Sequence, residues 1–300
     1  MSDLKSETLA IITPVYNRSV EIKKLYSSLN KQVNKKFEWI VVDDGSSDNL
    51  DDLLTSWGEN SKYKIILLRQ KNQGKMVAYR SAVNYLYKHN IKWSIVVDSD
   101  DWLLPEATSE MLETIRQLEN ANYIGAVYPK VSKLTNMGDW TQKMQPSVNI
   151  IDLKYRYHIN ESVILIQTLQ LKWGFDHIIF SNEKFMSEEI LYNCLMTQGK
   201  FKVCKEKFYF AEYKKGGITN SIFKTWLRNP KNTIALLLSR YNALGSLPYK
   251  FRVIGRIKTI INLNAFCIKL NLNIRNVTPN KMLSIMCYLP ALFLMKRRFK

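Results

Sequence analysis

Three carboxylates occupy four positions at Asp98-Ser99-Asp100-Asp101, directly after the apolar run Ile95-Val96-Val97. Such a run of β-branched residues reads as a strand buried on both faces, as in a parallel sheet. The acids then lie at its carboxyl end, where open α/β sheets place their ligand crevice. They would repel one another unless a positive charge sits among them. A hard divalent cation such as Mg²⁺ meets that need, because it prefers oxygen ligands and bridges to phosphates. In this reading Asp100, helped by Asp98 or Asp101, holds the ion against a diphosphate, and the ion neutralises charge on a phosphate leaving group. The bland alternative is that the acids cap the following helix.

A second segment repeats the design. Ile40-Val41-Val42 stops at Asp43-Asp44-Gly45-Ser46. A carboxylate here could accept hydrogen bonds from a base or ribose, and Gly45 permits a sharp turn. Taken alone, the segment reads equally well as an Asx-turn. Thr13-Pro14-Val15-Tyr16-Asn17 ends a further strand, and its aromatic ring could stack on a nucleobase. Asn72-Gln73-Gly74-Lys75 is a short loop before a helix, which suits a phosphate cradle with Lys75 as a point charge. A solvated Lys75 is an equal alternative. The chain has neither a Walker A sequence nor a GxGxxG, which argues against a dinucleotide dehydrogenase. Glu188-Glu189 opens a helix, where acids complement the dipole. The sharper reading is a general base that deprotonates an attacking hydroxyl. His89, His158 and His177 show no ligand spacing.

The elements that must position these groups follow from periodicity. Strands are expected at 9–12, 37–42, 63–68 and 93–97. Helices are expected from Ser19 through Leu29, near 50–57 and over 76–89. The alternation argues for a doubly wound, mostly parallel sheet. Beyond it a helix runs to about Glu119 and a strand covers 123–128. The middle third is less regular, with strands at 163–166 and 201–204 and a helix over 187–196. Helices opening at Asn229-Pro230, near Tyr249 and at Thr278-Pro279 complete the chain, the last running apolar through Met295 to Lys296-Arg297-Arg298.

Charge is unevenly distributed over the 300 residues. The net charge is +18, and no Asp or Glu follows Glu212. Such a field seeks a polyanion, either nucleic acid or an anionic membrane surface. The tail is rich in Leu and Ile and suits an interfacial position, with its polybasic flank at lipid headgroups; nucleic-acid binding is not expected. The four cysteines form no pair or framework, and the polar N-terminus lacks an apolar signal core. These features point to a cytosolic setting. No apolar run reaches the ~20 residues needed to span a bilayer.

The ordered set Thr13-Pro14-Val15-Tyr16-Asn17, Val42-Asp43-Asp44-Gly45-Ser46, Asn72-Gln73-Gly74-Lys75, Asp98-Ser99-Asp100-Asp101 and Glu188-Glu189 resembles family 2 glycosyltransferases of the GT-A fold. The resemblance implies an α/β, Rossmann-like sheet with a basic helical C-terminal extension. Residues 1–215 would form the catalytic domain, with a nucleotide-sugar half (1–101) and an acceptor half (102–215); residues 216–300 would associate with a membrane. It further implies a nucleotide-diphosphate sugar donor, usually UDP-linked, and an inverting mechanism. Pro14, Tyr16, Asn17, Asp43, Asp44 and Lys75 would line the donor site, Asp98 would lie near the ribose, and Asp100 with Asp101 would hold Mg²⁺ or Mn²⁺. Many relatives carry Glu-Asp where this chain has Glu188-Glu189, so the base is Glu188 or, close behind, Glu189. The basic tail resembles that of bacterial enzymes extending lipid-linked sugars for capsule or exopolysaccharide, at the inner face of the cytoplasmic membrane. Two rival readings are a metal-dependent nucleotidyl or phosphoryl transferase and a nucleic-acid-binding protein using the tail.

Overall fold

The computed structural model describes residues 8–119, 121–132, 140–212 and 222–299. The N-terminal segment 1–7 and the composition boundary near residue 215 lie outside them. The first half alternates as the sequence dictates: β1 (Leu9–Val15), α1 (Ile22–Asn30), β2 (Phe37–Asp43), α2 (Leu50–Asn60), β3 (Lys64–Arg69), α3 (Lys75–Lys88) and β4 (Trp93–Val96). Then come β5 (Trp102–Leu103), α4 (Ala107–Glu119), β6 (Tyr123–Ser132), β7 (Ser147–Val148), α5 (Ile150–Tyr155), β8 (Ser162–Gln167), α6 (Thr168–His177), α7 (Glu189–Cys194), β9 (Lys200–Val203) and β10 (Tyr209–Ala211). The C-terminal stretch is helical: α8 (Ile222–Arg228), α9 (Pro230–Ala243), α10 (Tyr249–Lys269), α11 (Ile274–Val277), α12 (Lys281–Met286) and α13 (Tyr288–Arg298).

The sheet runs β3-β2-β1-β4-β8-β6-β10-β5, with β9 on β6 and β7 on β9. β3, β2, β1 and β4 are mutually parallel; β8 lies antiparallel between β4 and β6. Strand order reverses at β1, which has β2 on one side and β4 on the other. That reversal opens a crevice at the carboxyl ends. Pairing of β1 with β4 stops at Ile12 opposite Val96, whereas pairing with β2 continues to Val15 opposite Asp43. Pro14 therefore stands where β1 has already parted from β4, so on that side its missing N–H costs no ladder bond.

Alternate residues of the strands fill two cores. Leu9, Ile11, Trp39, Val41, Trp93 and Ile95 pack with Ile22, Leu25 and Leu29 of α1 and with Met111 and Ile115 of α4. The intervening Ala10, Ile12, Ile40 and Val42, also buried, lie on the face that α3 covers. Tyr26 of α1 stacks on Trp57 of α2 with ring centroids 4.0 Å apart, which ties those helices over the sheet.

Two compact units divide the chain differently from its composition. The first is Met1–Asn149, Ile159–His177 and Thr197–Tyr213; the second is Ile150–His158, Ile178–Met196 and Lys214–Lys300. Segments 150–158 and 178–196, expected in the acceptor half, pack with the C-terminal helices. One reason is that Glu183 accepts from the Lys231 and Asn232 amides and so supplies a side-chain cap to α9. Two local expectations also change. Ser19 does not cap α1; its amide donates to Asp48 Oδ2 (2.8 Å). The helix expected from Thr278 through Met295 is two helices, the first capped by Asn280, whose Oδ1 accepts from the Leu283 amide (2.9 Å).

Candidate active site

Three strand ends of the first unit carry the groups expected to do chemistry. Asp44 follows β2 and is buried. Its Oδ1 accepts from Gln70 Nε2 (2.8 Å) and the Gln73 amide (2.9 Å), and its Oδ2 from the Gly74 amide (2.8 Å). The carboxylate thus shapes the loop that leads into α3. Gly74 has φ +96° and Gly45 has φ +80°, conformations that a side chain would strain. At Gly45 an added Cβ would also meet the Asn72 amide nitrogen at 2.8 Å. Asp43 Oδ1 accepts from the Ser46 amide (2.8 Å), the Asx-type turn that the sequence left open.

The loop after β1 is latched to the same region. Asn17 adopts a left-handed φ of +51°. Its amide donates to Ser46 Oγ (2.9 Å), and its Oδ1 accepts from the Ser47 amide (2.8 Å). Tyr16 is left 49% exposed with no partner among the described residues.

Lys75, the first residue of α3, links this loop to the acidic cluster: its Nζ donates to Asp98 Oδ1 at 2.6 Å. The Asp44 and Asp98 loops therefore meet at one rim, through Gly74 and Lys75. Lys130 of β6, only 17% exposed, lies 3.6 Å from Asp98 Oδ2 and 3.0 Å from Asp101 Oδ2. Tyr209 of β10 donates its hydroxyl to Asp101 Oδ2 (2.6 Å) and accepts from the Asp98 amide (3.1 Å). Burial pushes the Asp98 carboxyl up, but the ammonium groups of Lys75 and Lys130 outweigh it and hold it at about 2. Burial raises the Asp101 carboxyl, against the pull of Lys130. Burial lowers the Lys130 ammonium, yet Asp98 and Asp101 carry it upward.

These contacts sort the acids. Asp98 and Asp101 are compensated by two lysines and a phenol. Asp100, partly buried between them in sequence, has no hydrogen-bond or ion-pair partner among the described residues. Nor do any three His, Cys, Asp or Glu side chains of the described residues gather as a metal cage. The donor set fits a hard cation held by one carboxylate and completed by phosphate and water oxygens, as Mg²⁺ is commonly bound. Asp101, expected as a second ligand, spends the contacts of its Oδ2 on Tyr209 and Lys130.

Lys130 and Tyr209 are absent from the sequence reading. The only local trace is a lysine interrupting the apolar strand Ile124 to Val131; nothing marks Tyr209. Replacing Lys130 by Met should cost about 3 kcal/mol, because Asp101 is left buried beside Asp98. Chemical denaturation measures the loss, and an unchanged midpoint would show that the cluster does not need its cation.

The acidic pair belongs to the second unit. Glu189 is locked: Arg240 Nε and Nη2 donate to its two oxygens at 2.5 and 2.6 Å, and Lys154 Nζ donates at 3.2 Å. Burial pushes Glu189 up, but Arg240 and then Lys154 bring it to about 2. Glu188 precedes α7 and is partly buried.

An open sheet with its crevice at the reversal of strand order, rimmed by acids, is the arrangement in which doubly wound α/β proteins place their ligands. The model of glycosyl transferase family 2 matches residues 10–177, more than half of the chain, and the chain belongs to that family. An uncharacterized glycosyltransferase of Haemophilus influenzae is 29% identical over 138 residues, which are 46% of this chain and 44% of that protein. The match thus spans less than half of that relative's length. Among solved structures, S. aureus TarS in complex with UDP-GlcNAc superposes with a TM-score of 0.60 at 14% identity, covering 97% of this chain and 92% of that one. A mannosyltransferase from Pyrobaculum calidifontis in complex with GDP-Man and Mn²⁺ gives 0.53 at 13% identity, covering 97% and 87%. At these identities the likeness is one of fold.

Proposed function

We propose that the protein transfers a sugar from a UDP-linked donor to a hydroxyl of a lipid-linked saccharide, with inversion at the anomeric carbon, as a step in polysaccharide assembly. The observation that carries this reading is the meeting of the Asp44 and Asp98 loops at one crevice through Gly74 and Lys75. UDP-GlcNAc in TarS and GDP-Man in the archaeal protein belong to those proteins; they support a nucleotide sugar here.

In this mechanism Tyr16 offers its exposed ring to the base, beside Pro14 and Asn17. Asp43 and Asp44 hold the nucleoside end through the loops they brace, and Asp98 faces the ribose. Lys75 sets a positive charge at the diphosphate. Asp100 would hold Mg²⁺ or Mn²⁺, with Asp101 keeping the loop in place. When bound, the cation supplies positive charge against which the diphosphate departs. Glu188 takes the proton of the acceptor hydroxyl. The acceptor oxygen then bonds to the anomeric carbon as the bond from that carbon to the phosphate oxygen breaks, and UDP leaves with the electron pair. The acceptor reaches the site at the inner face of the cytoplasmic membrane.

Product analysis with a panel of UDP-sugars tests the reading. Release of UDP with a glycosylated acceptor is expected. Release of pyrophosphate would overturn it in favour of nucleotidyl transfer.

A further inference from the structure

The second unit carries an apolar face that nothing in the described chain covers. Met282, Ile285 and Met286 of α12 and Leu289 and Phe293 of α13 are each between 70% and 76% exposed. Their spacing of three, one, three and four residues follows one side of the helical path. The opposite side is spent on packing: Ser284, Cys287 and Ala291 are buried, and both helices contact α10. A monomeric soluble protein seldom exposes such a contiguous row of large apolar side chains without a partner for it.

The charges around that face decide the partner. Of the 44 basic and 26 acidic residues, 17 basic and no acidic ones follow Glu212, so this stretch holds nearly all of the net charge of +18. Arg298 is engaged, donating to Asn262 Oδ1 (2.6 Å) and lying over Phe223. Lys281 at the start of the face and Lys296 and Arg297 at its end are exposed and have no carboxylate partner among the described residues. Apolar side chains flanked at both ends by free ammonium and guanidinium groups match an anionic bilayer surface, with acyl chains below and phosphates at the rim. A second copy of the chain fits poorly, because it would bring two basic regions together. Nucleic acid would leave the Met, Ile, Leu and Phe row unburied. Among the described residues no helix is long and apolar enough to cross a membrane.

We infer that α12 and α13 form an interfacial anchor: Met282, Ile285, Met286, Leu289 and Phe293 insert into the acyl boundary of an anionic membrane, while Lys281, Lys296 and Arg297 bind its lipid phosphates. This deepens the proposed function by naming the surface that meets the lipid-linked acceptor, and rests on it only for that purpose.

Flotation of the full chain with vesicles of phosphatidylglycerol and phosphatidylcholine, and with phosphatidylcholine alone, is the test. The chain should float with the anionic vesicles and not with the neutral ones. The double variant Leu289→Ser with Phe293→Ser should bind on the order of a hundredfold more weakly. Lys296→Glu with Arg297→Glu should bind on the order of thirtyfold more weakly. All these positions are exposed, so the thermal midpoint of each variant should stay at the wild-type value. UDP binding measured by calorimetry should also be unchanged, which separates failure of the anchor from failure of the transferase reading. Sedimentation of the wild-type chain away from anionic vesicles would overturn the inference. So would variants that float as well as wild type. A dimer that dissociates on Leu289→Ser, or salt-dependent binding to single-stranded RNA without vesicle binding, would overturn it in favour of another partner.

Discussion

Replacing Asp100 by Asn is expected to abolish sugar transfer and leave the fold unchanged. The two halves of that expectation come from one observation: Asp100 has no partner among the described residues, so its charge supports no internal contact. Asn keeps the size and removes the charge. If the carboxylate serves to hold a cation at the departing diphosphate, its loss should lower kcat by roughly 10²–10³-fold or more, the scale of removing one group aimed at developing charge. Excess Mn²⁺ should restore only part of the rate, and the thermal midpoint should stay within about 1 °C. Asp98→Asn is the contrasting variant. It leaves Lys75 and Lys130 facing a neutral amide, so its fold should weaken as well. Near-normal turnover by Asp100→Asn at saturating donor would remove the cation from the mechanism.

The contrast between Asp98 and Asp100 shows what could be read from residue order and what could not. Acids that stop a β-branched run, as at Val42-Asp43 and Val97-Asp98, announce a strand end locally, because burial on both faces and polarity beyond it are both written in consecutive residues. The four parallel strands and the helices between them follow from that local pattern. Which acid is free and which is bound depends on partners brought by the fold. Lys130 and Tyr209 reach Asp101 from β6 and β10, strands that join the far side of the sheet through the antiparallel β8, and no spacing encodes that encounter. The same holds for Glu189 and Arg240, 51 residues apart. Their pairing draws residues 178–196 to the helical unit, which a boundary drawn from charge composition near 215 does not foresee. In the tail, Thr278-Pro279 does mark a helix start, but Asn280 provides the cap, and Cys287 ends the first helix and begins the second.

Glu188→Gln and Glu189→Gln are expected to fail in different ways, and the difference assigns the base. Two adjacent acids open α7 and are chemically alike, yet their surroundings are not. Glu189 is gripped by both nitrogens of the Arg240 fork and by Lys154, which hold its carboxyl at about 2 against the pull of burial. A base held so far below neutrality has little tendency to take a proton from a sugar hydroxyl. Its Gln variant should therefore reveal a structural debt: Arg240, itself buried, loses its counter-charge, and about 3–5 kcal/mol of stability with it. The thermal midpoint should fall by roughly 10 °C. The pH dependence follows in sign. A carboxyl depressed in the folded state contributes stability above its ordinary value near 4.5, and that contribution is lost as pH falls toward 2. The stability gap between wild type and Glu189→Gln should thus be full at neutral pH and narrow progressively below about 4.5. Glu188→Gln should lose transfer by roughly 10²–10⁴-fold, with UDP binding intact. Should Glu188→Gln turn over normally while folded Glu189→Gln, measured well below its midpoint, is inactive, the base would be Glu189 and the Arg240 pair would have to open during the reaction.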